Sequence, residues 1–435
     1  MLIKMNNNYK IQKLENGLNL ITVKIDSVDT VNTIVYFPVG SRYESPEDNG
    51  ISHFIEHMMF KGTEKRPNTL ILSEELDNMG AIYNAYTSKD MTAYYIKSSK
   101  NDIEKNIGIL GDMVCNSKFD IEEINKEKGV IIQEMKKYED LPECYVEDIF
   151  EQLVFGEKDK LGQLIIGSED NIKSFTRDQF MNYKDAHYFG SNAFVCVVGN
   201  FDENQILELI KNNFKFQING NREDEVEKLR NNSRRILDQK EPKFKLVYKD
   251  IEQAHLKLGF PAFSYFDKEV YSLSLFSAVF GECMSSRLFI NIREKEGLCY
   301  NIYSSMDRYQ DCGLFSINSG LDKDRIYEAI SLIKKELNEV VKNGITQEEL
   351  NKAKSIMFGR MDVALEDTSN IAEFYGRQYL LQNRIITPEE KKEFINKVTL
   401  AEINDTIKKV INFSKINMAI IGPYNDSAKF EELLK

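Results

Sequence analysis

No stretch of the sequence approaches 18 consecutive apolar residues, so nothing in it predicts a membrane span. The opening residues, "MLIKMNNNYKIQKLENG", lack the apolar segment that follows the basic residues of a secretory signal. They also lack the Arg- and Ser-rich pattern of an organelle presequence, and a cytoplasmic chain is expected. Cys115, Cys144, Cys196, Cys283, Cys299 and Cys312 form no C-x-x-C pair and are expected to be buried thiols rather than disulfides. Neither a Walker loop nor a G-x-G-x-x-G run is present, which excludes the usual phosphate cradles. Basic residues are outnumbered, 57 against 69 acidic, and the resulting charge of −12 argues against nucleic-acid or anionic-membrane partners. Histidine is scarce as well: there are four, and none follows His255.

What is present is a chain of 435 residues, 42% hydrophobic and 29% charged, able to bury a large core and stay soluble. Its length alone suggests about three domains of ~150 residues, but internal repetition replaces that with two halves. "GAIYNAYTS" (Gly80 to Ser88) returns as "GLCYNIYSS" (Gly297 to Ser305), 217 residues on. "EEINKEKGVIIQEM" (Glu122 to Met135) returns as "EELNKAKSIMFGRM" (Glu348 to Met361), 226 residues on. "AFVCVVGNFD" has a counterpart in "NMAIIGPYND", and the matches keep their order. Short alternating runs such as "TVNTIVYFPV" and "MTAYYIKS" read as strands, and longer periodic ones such as "IEKNIGILGDMVCN" as helices. The expected fold class is α+β. Two similar halves, residues 1–218 and 244–435, would each be a mainly antiparallel sheet covered on one face by helices. Residues 219–243, dense in charge, read as the linker between them.

Two of the four histidines stand in "DNGISHFIEHMMFKGT". On a helix, His53, Glu56 and His57 share one face, while Ile51, Phe54, Ile55, Met58 and Met59 make the segment apolar nearly all round. Buried imidazoles and carboxylates need partners, and a hydrogen-bonded pair of core histidines would satisfy that. The spacing H-x-x-E-H instead matches the inverted zinc-peptidase pattern, with both histidines as metal ligands and the glutamate as general base. A catalytic zinc wants three protein ligands and an open position. Glu127 and Glu134 lie on one face of a helix expected over 121–138, and the repeat replaces them with Ala353 and Arg360, in the half without a histidine pair. Glu134 follows the apolar run "GVIIQ" and is expected to be the more buried; it is assigned as third ligand, and Glu127 as the carboxylate that orients a ligand. His187 and His255 each stand alone on apolar stretches and read as structural histidines.

"NGISHFIEHMMFKGT" followed by "VIIQEM", with 76 residues between His57 and Glu134, resembles the pitrilysin-type inverted zinc metallopeptidases. The two-half chain is most similar to their mitochondrial-processing-peptidase-like bacterial branch. The likeness runs from "LENGLNL" through "GSRYE", "FKGT", "NAYTS" and "SSRLFINIREKEGLCY" to "IIGPY", essentially the whole chain. It implies zinc bound by His53, His57 and Glu134, with Glu56 as catalytic base. It further implies Arg293 and Tyr300 as a substrate-positioning pair from the non-catalytic half, and Asn84 and Ala85 as substrate contacts. The small Ala85 would let a peptide come close to a strand at a sheet edge, where main-chain hydrogen bonds hold an extended chain. One departure is the single Gly281 in "VFGECMSSRLF", where the family often shows a longer glycine run. The expectation is a zinc endopeptidase cleaving peptides or unfolded segments held in extended form in an enclosed chamber, working as a homodimer with neither nucleic acid nor membrane as partner. Two rivals are a non-catalytic core-type subunit, which should lack one of His53, Glu56, His57 and Glu134, and a metal-binding protein without hydrolysis, which would have no use for Glu56.

Overall fold

A computed structural model of the chain describes residues 9–217, 237 and 239–434. Its first sheet is built from β1 (Tyr9–Lys13), β2 (Asn19–Lys24), β3 (Thr30–Phe37), β4 (Ile82–Thr87), β5 (Thr92–Ser99) and β6 (Phe194–Gly199), in the order β1-β2-β6-β3-β5-β4. The second contains β7 (Lys243–Tyr248), β8 (Gln253–Ala262), β9 (Cys299–Arg308), β10 (Gly313–Asp322) and β11 (Asn417–Gly422), in the order β7-β11-β8-β10-β9. Removing β1 makes the two orders superpose strand for strand, β2-β6-β3-β5-β4 on β7-β11-β8-β10-β9. Both sheets are antiparallel except at one pair, β2 with β6 and β7 with β11, again at matching places. The repeat seen in the sequence is therefore a repeat of topology.

The helices are α1 (Ile51–Met58), α2 (Thr69–Asn78), α3 (Ile103–Asn116), α4 (Ile121–Asp140), α5 (Pro142–Phe155), α6 (Glu169–Ser174), α7 (Arg177–His187) and α8 (Glu203–Asn213) in the first part of the chain. The remainder carries α9 (Val270–Phe280), α10 (Ile326–Asn343), α11 (Gln347–Ala364), α12 (Thr368–Gln382), α13 (Pro388–Lys397), α14 (Leu400–Val410) and α15 (Ala428–Leu434). No described helix is long and apolar enough to cross a membrane. All six cysteines are thiols rather than disulfides; Cys196, Cys299 and Cys312 are buried and the others half-buried.

Packing divides the chain differently from the contiguous halves expected at 1–218 and 244–435. Among the described residues, one compact unit takes 9–135, 163–217 and 364–387, and the other takes 136–162, 237, 239–363 and 388–434. Most of the expected linker, 219–243, lies outside the described residues. The exchanged pieces are α5, which packs on the second sheet, and α12, which packs on the first. Each fills a face that a one-sided helix layer would leave bare. In the first unit Val31, Val35 and Phe37 of β3 point into a core with α1, α3 and α7, while Tyr36, one residue out of phase, points the other way and reaches the Ala372 carbonyl of α12. In the second unit Leu256, Leu258 and Phe260 face α9 and α14, and Val146, Ile149 and Phe150 of α5 cover Leu314, Ala419 and Ile421 on the opposite face. A mainly antiparallel sheet can leave one face to water; these sheets are apolar on both, and so they need cover on both.

Candidate metal centre

α1 is the helix of the H-x-x-E-H motif. Its N-terminus is fixed by Glu44, whose carboxylate accepts from the Gly50 and Ser52 amides at 2.8 and 2.9 Å and from the Asn49 side chain at 2.9 Å. These donors include backbone N–H groups that the first turn of a helix leaves without partners, and a negative group there also suits the helix dipole. Burial nonetheless pushes the Glu44 carboxyl up to about 7, against the pull of those donors. The apolar residues Ile51, Phe54, Ile55 and Met58 lock the helix into the first core, which turns His53, Glu56 and His57 to the remaining face.

α4 runs past that face and brings both of its carboxylates to the imidazoles. Ligand atoms of His53, His57 and Glu134 all lie within 4.8 Å of one another, and this is the one such cluster of three among the described residues. Glu134 Oε2 stands 3.4 Å from His57 Nε2 and 3.8 Å from His53 Nε2. The hydrogens decide what this convergence means. Glu127 Oε1 is 2.8 Å from His57 Nδ1, so that nitrogen carries the proton and donates, leaving Nε2 a bare lone pair. Burial, helped by the neighbouring His57, pushes His53 down to about 3, so His53 is neutral. Glu134 Oε2 is buried and has no hydrogen bond among the described residues. A buried acceptor facing two nitrogens with no hydrogen bond to either is costly, and a cation between them removes that cost. Ligands about 2.0–2.2 Å from a tetrahedral ion stand about 3.3–3.6 Å apart, close to the separations found. The residues therefore fit a zinc ion.

The second carboxylate has another task. Glu127 is clasped between His57 and Lys61, whose ammonium is 2.6 Å from Oε2. Burial alone would raise its pKa, but the bonds from His57 and Lys61 hold the carboxyl below its usual value. Glu127 so fixes the His57 ring, as carboxylates behind metal-bound histidines do. One expectation is reversed here. Glu127, not Glu134, is the more buried, with side-chain exposures of 4% and 27%. Val130 of the apolar run, one turn before Glu134, is itself half exposed, whereas Glu127 is held by Lys61 from the chain leaving α1. Burial of His57 lowers its pKa, but the bond to Glu127 and the charges of Glu134, Glu127 and Glu56 outweigh this and raise it.

Glu56 stands beside this group, its carboxyl raised by burial against the opposing hydrogen bond from Thr87. Asn84 and Ala85 lie on β4, an edge strand paired only with β5. The Asn84 side chain accepts from the Ala85 amide at 2.9 Å. Ala85 is buried in the first core, so its small size serves packing against the helices there. Arg293 and Tyr300 belong to the second unit, where the guanidinium lies 4.5 Å from the Phe289 ring and 5.6 Å from the Tyr300 ring. Tyr300 is 78% exposed, a high value for an aromatic residue. The His187 ring lies tilted against Tyr183, centroids 4.4 Å apart, and His255 sits half-buried on β8; neither joins the cluster.

Three contributors were not singled out from sequence: Glu44, Lys61 and Thr87. Lys61 follows His57 by four residues, a spacing that puts it one turn on. Thr87 shares strand parity with Ala85. Glu44 left no local signal, since its partners are backbone amides.

The family model described as "Insulinase (Peptidase family M16)" matches residues 20–166, a stretch that holds the whole cluster. A second, "Peptidase M16 inactive domain", matches residues 174–357, none of which belongs to it. An uncharacterized zinc protease of Rickettsia bellii is 34% identical over 422 residues, 97% of this chain and 99% of that one. Another from Bacillus subtilis is 32% identical over 409 residues, 94% of this chain and 97% of its own. The structure of a protease from Helicobacter pylori superposes with a TM-score of 0.85 at 22% identity, covering 95% of this chain and 99% of that one, so the two share a fold. With relatives aligned almost end to end, and with the histidine helix in the peptidase stretch and a histidine-poor repeat after it, the chain belongs to peptidase family M16.

Proposed function

We propose that the chain is a zinc-dependent endopeptidase that hydrolyses peptides or unfolded polypeptide segments bound in extended form. The observation that carries this reading is the convergence of two imidazole nitrogens and one buried carboxylate oxygen that has no hydrogen bond among the described residues, with a fourth titratable group, Glu56, beside them. His53, His57 and Glu134 would hold the ion, which when bound supplies a Lewis acid and lowers the pKa of water towards ~7. Glu56 accepts the proton of the attacking water and returns it to the leaving amine, general acid–base work suited to a carboxyl raised by burial. Glu127 and Lys61 keep the His57 ring in place throughout. The free edge of β4 offers main-chain groups to an extended peptide, which accounts for an unfolded substrate rather than a folded one. Arg293 and Tyr300 are proposed as substrate-positioning residues, a cation and a hydroxyl that can stabilise a developing oxyanion.

Hydrolysis of fluorescein-labelled casein, an unfolded polypeptide, tests the reading. Glu56→Gln should keep the zinc content of the wild type and lose about 10²–10⁴-fold in kcat, the usual contribution of a general base. Near-normal turnover in that variant would refute the role given to Glu56.

A further inference from the structure

We propose that Thr87 positions Glu56 for catalysis, selecting which carboxylate oxygen takes the proton; the inference rests on the peptidase reading above. The Thr87 hydroxyl donates to Glu56 Oε2 at 2.5 Å. A hydroxyl has one hydrogen, and giving it to Oε2 ties that oxygen and leaves Oε1 with its lone pairs free. Oε1 is then the atom that accepts the proton from water.

For this bond to orient rather than merely accompany Glu56, both of its ends must be fixed independently. Glu56 is fixed by α1, which hangs from Glu44 and is packed into the first core. Thr87 is the last residue of an edge strand, a place where fraying is ordinary, yet here the hairpin end is held on several sides. Thr87 pairs with Thr92, and the Ser88 amide closes the turn on the Met91 carbonyl at 2.8 Å. The chain before α1 then lies against that turn, with the Ser41 amide on the Ser88 carbonyl at 3.2 Å and the Arg42 amide on the Lys89 carbonyl at 3.1 Å. Only glycine at position 40 permits this, because a Cβ there would stand 2.0 Å from the Ser88 oxygen. Arg42 also pairs with Asp90 at 2.8 Å, and Lys89 donates to the Gln163 carbonyl. One clamp thus holds the turn that ends β4, and the same stretch of chain leads into the helix that carries the base.

The second unit supplies a comparison within the same molecule. Ser304 occupies the position of Thr87, 217 residues on, and its hydroxyl meets Ser277 of α9 at 2.9 Å. The tie from strand to helix is kept in the half that lacks the histidine pair, where it ends on a hydroxyl instead of a carboxylate. A plain staple between β4 and α1 would look the same as positioning in the first unit, so a test must separate the two.

Thr87→Val keeps the shape and removes the donor, and Thr87→Ser restores the hydroxyl. With labelled casein as probe, Thr87→Val should lose about tenfold to a hundredfold in kcat, the scale of loss when a reacting group is misplaced. KM should stay within about twofold and zinc content should equal the wild type, with Thr87→Ser recovering most of the rate. A staple alone would show its loss in stability, zinc content or KM, and a loss confined to those would overturn the proposal. So would a Thr87→Val kcat within about threefold of wild type. The crystal structure of Thr87→Val reads the same claim without substrate: the Glu56 carboxylate should have turned from its place, and an unmoved carboxylate overturns the proposal. If the wild type cleaves no casein, the peptidase reading fails, and the position of that carboxylate alone then decides for or against Thr87.

Discussion

Glu127, Glu134 and Glu56 all lie close to the same two imidazoles, yet each carboxylate has a different second partner, and that partner decides its work. Lys61 neutralises Glu127 and keeps it charged behind His57. Thr87 ties one oxygen of Glu56. Glu134 Oε2 has no hydrogen-bond partner among the described residues, which fits the proposal that it faces an ion. A fourth carboxylate, Glu44, acts from the other end of α1 and yields a pH prediction. Its folded pKa is raised to about 7, above the ordinary 4.5, so between those values the folded state holds more protons than the unfolded one. Stability from this group is therefore full below pH ~4.5 and declines as pH rises towards ~7. Glu44→Gln cannot titrate, so the melting temperature of the wild type relative to the variant should fall by several degrees from pH 4.5 to 7.5. A difference that stays constant or grows over that range would contradict the assignment. At this scale the clustering of His53, His57 and Glu134 was legible because H-x-x-E-H is a local spacing and because the repeat loses Glu127 and Glu134 together with the histidine pair. The ranking of their burial was not legible, since it depends on Lys61 closing over Glu127 from a turn beyond the helix.

Strands and helices obey local patterns, but which sheet a helix covers is a long-range choice. The alternation in β3 is broken by Tyr36, and that residue is where α12 docks: its ring stacks on Phe194 at 4.8 Å and lies against Gly376. A Cβ at position 376 would stand 2.4 Å from the Tyr36 ring, which is fully buried and has no room to yield. Two effects of Gly376→Ala therefore compete. Helix propensity favours Ala by about 1 kcal/mol, and overpacking a buried site costs about 1–3 kcal/mol, so the variant should melt several degrees lower. Gly359 in α11 is the control, because a Cβ there meets nothing within 4 Å. Gly359→Ala should leave the melting temperature unchanged or raise it by a few degrees. A Gly376→Ala chain as stable as wild type would show that α12 does not rest on the first sheet as described. The strands and most helices could be read from periodicity, and the two-half architecture from the repeats. The exchange of α5 and α12 could not, because an amphipathic stripe says that a helix needs a partner and not which one.

The molecule as a whole is one topology used twice, with a candidate metal cluster, among the described residues, in one copy. Where the first unit presents His53, His57, Glu127 and Glu134, the second has no histidine on α9, Ala353 buried in its core, and Arg360 turned to the Glu282 carbonyl at 2.9 Å. The duplicated frame would accommodate two ions; the side chains provide for one. Metal stoichiometry is therefore the most direct measure of the account, because it counts working copies without needing a substrate. Purified chain dialysed against zinc and then against buffer, and analysed by plasma mass spectrometry, should hold about one zinc per chain, falling to near zero in His53→Ala/His57→Ala. Two ions per wild-type chain, none, or one that survives the loss of both histidines would contradict it.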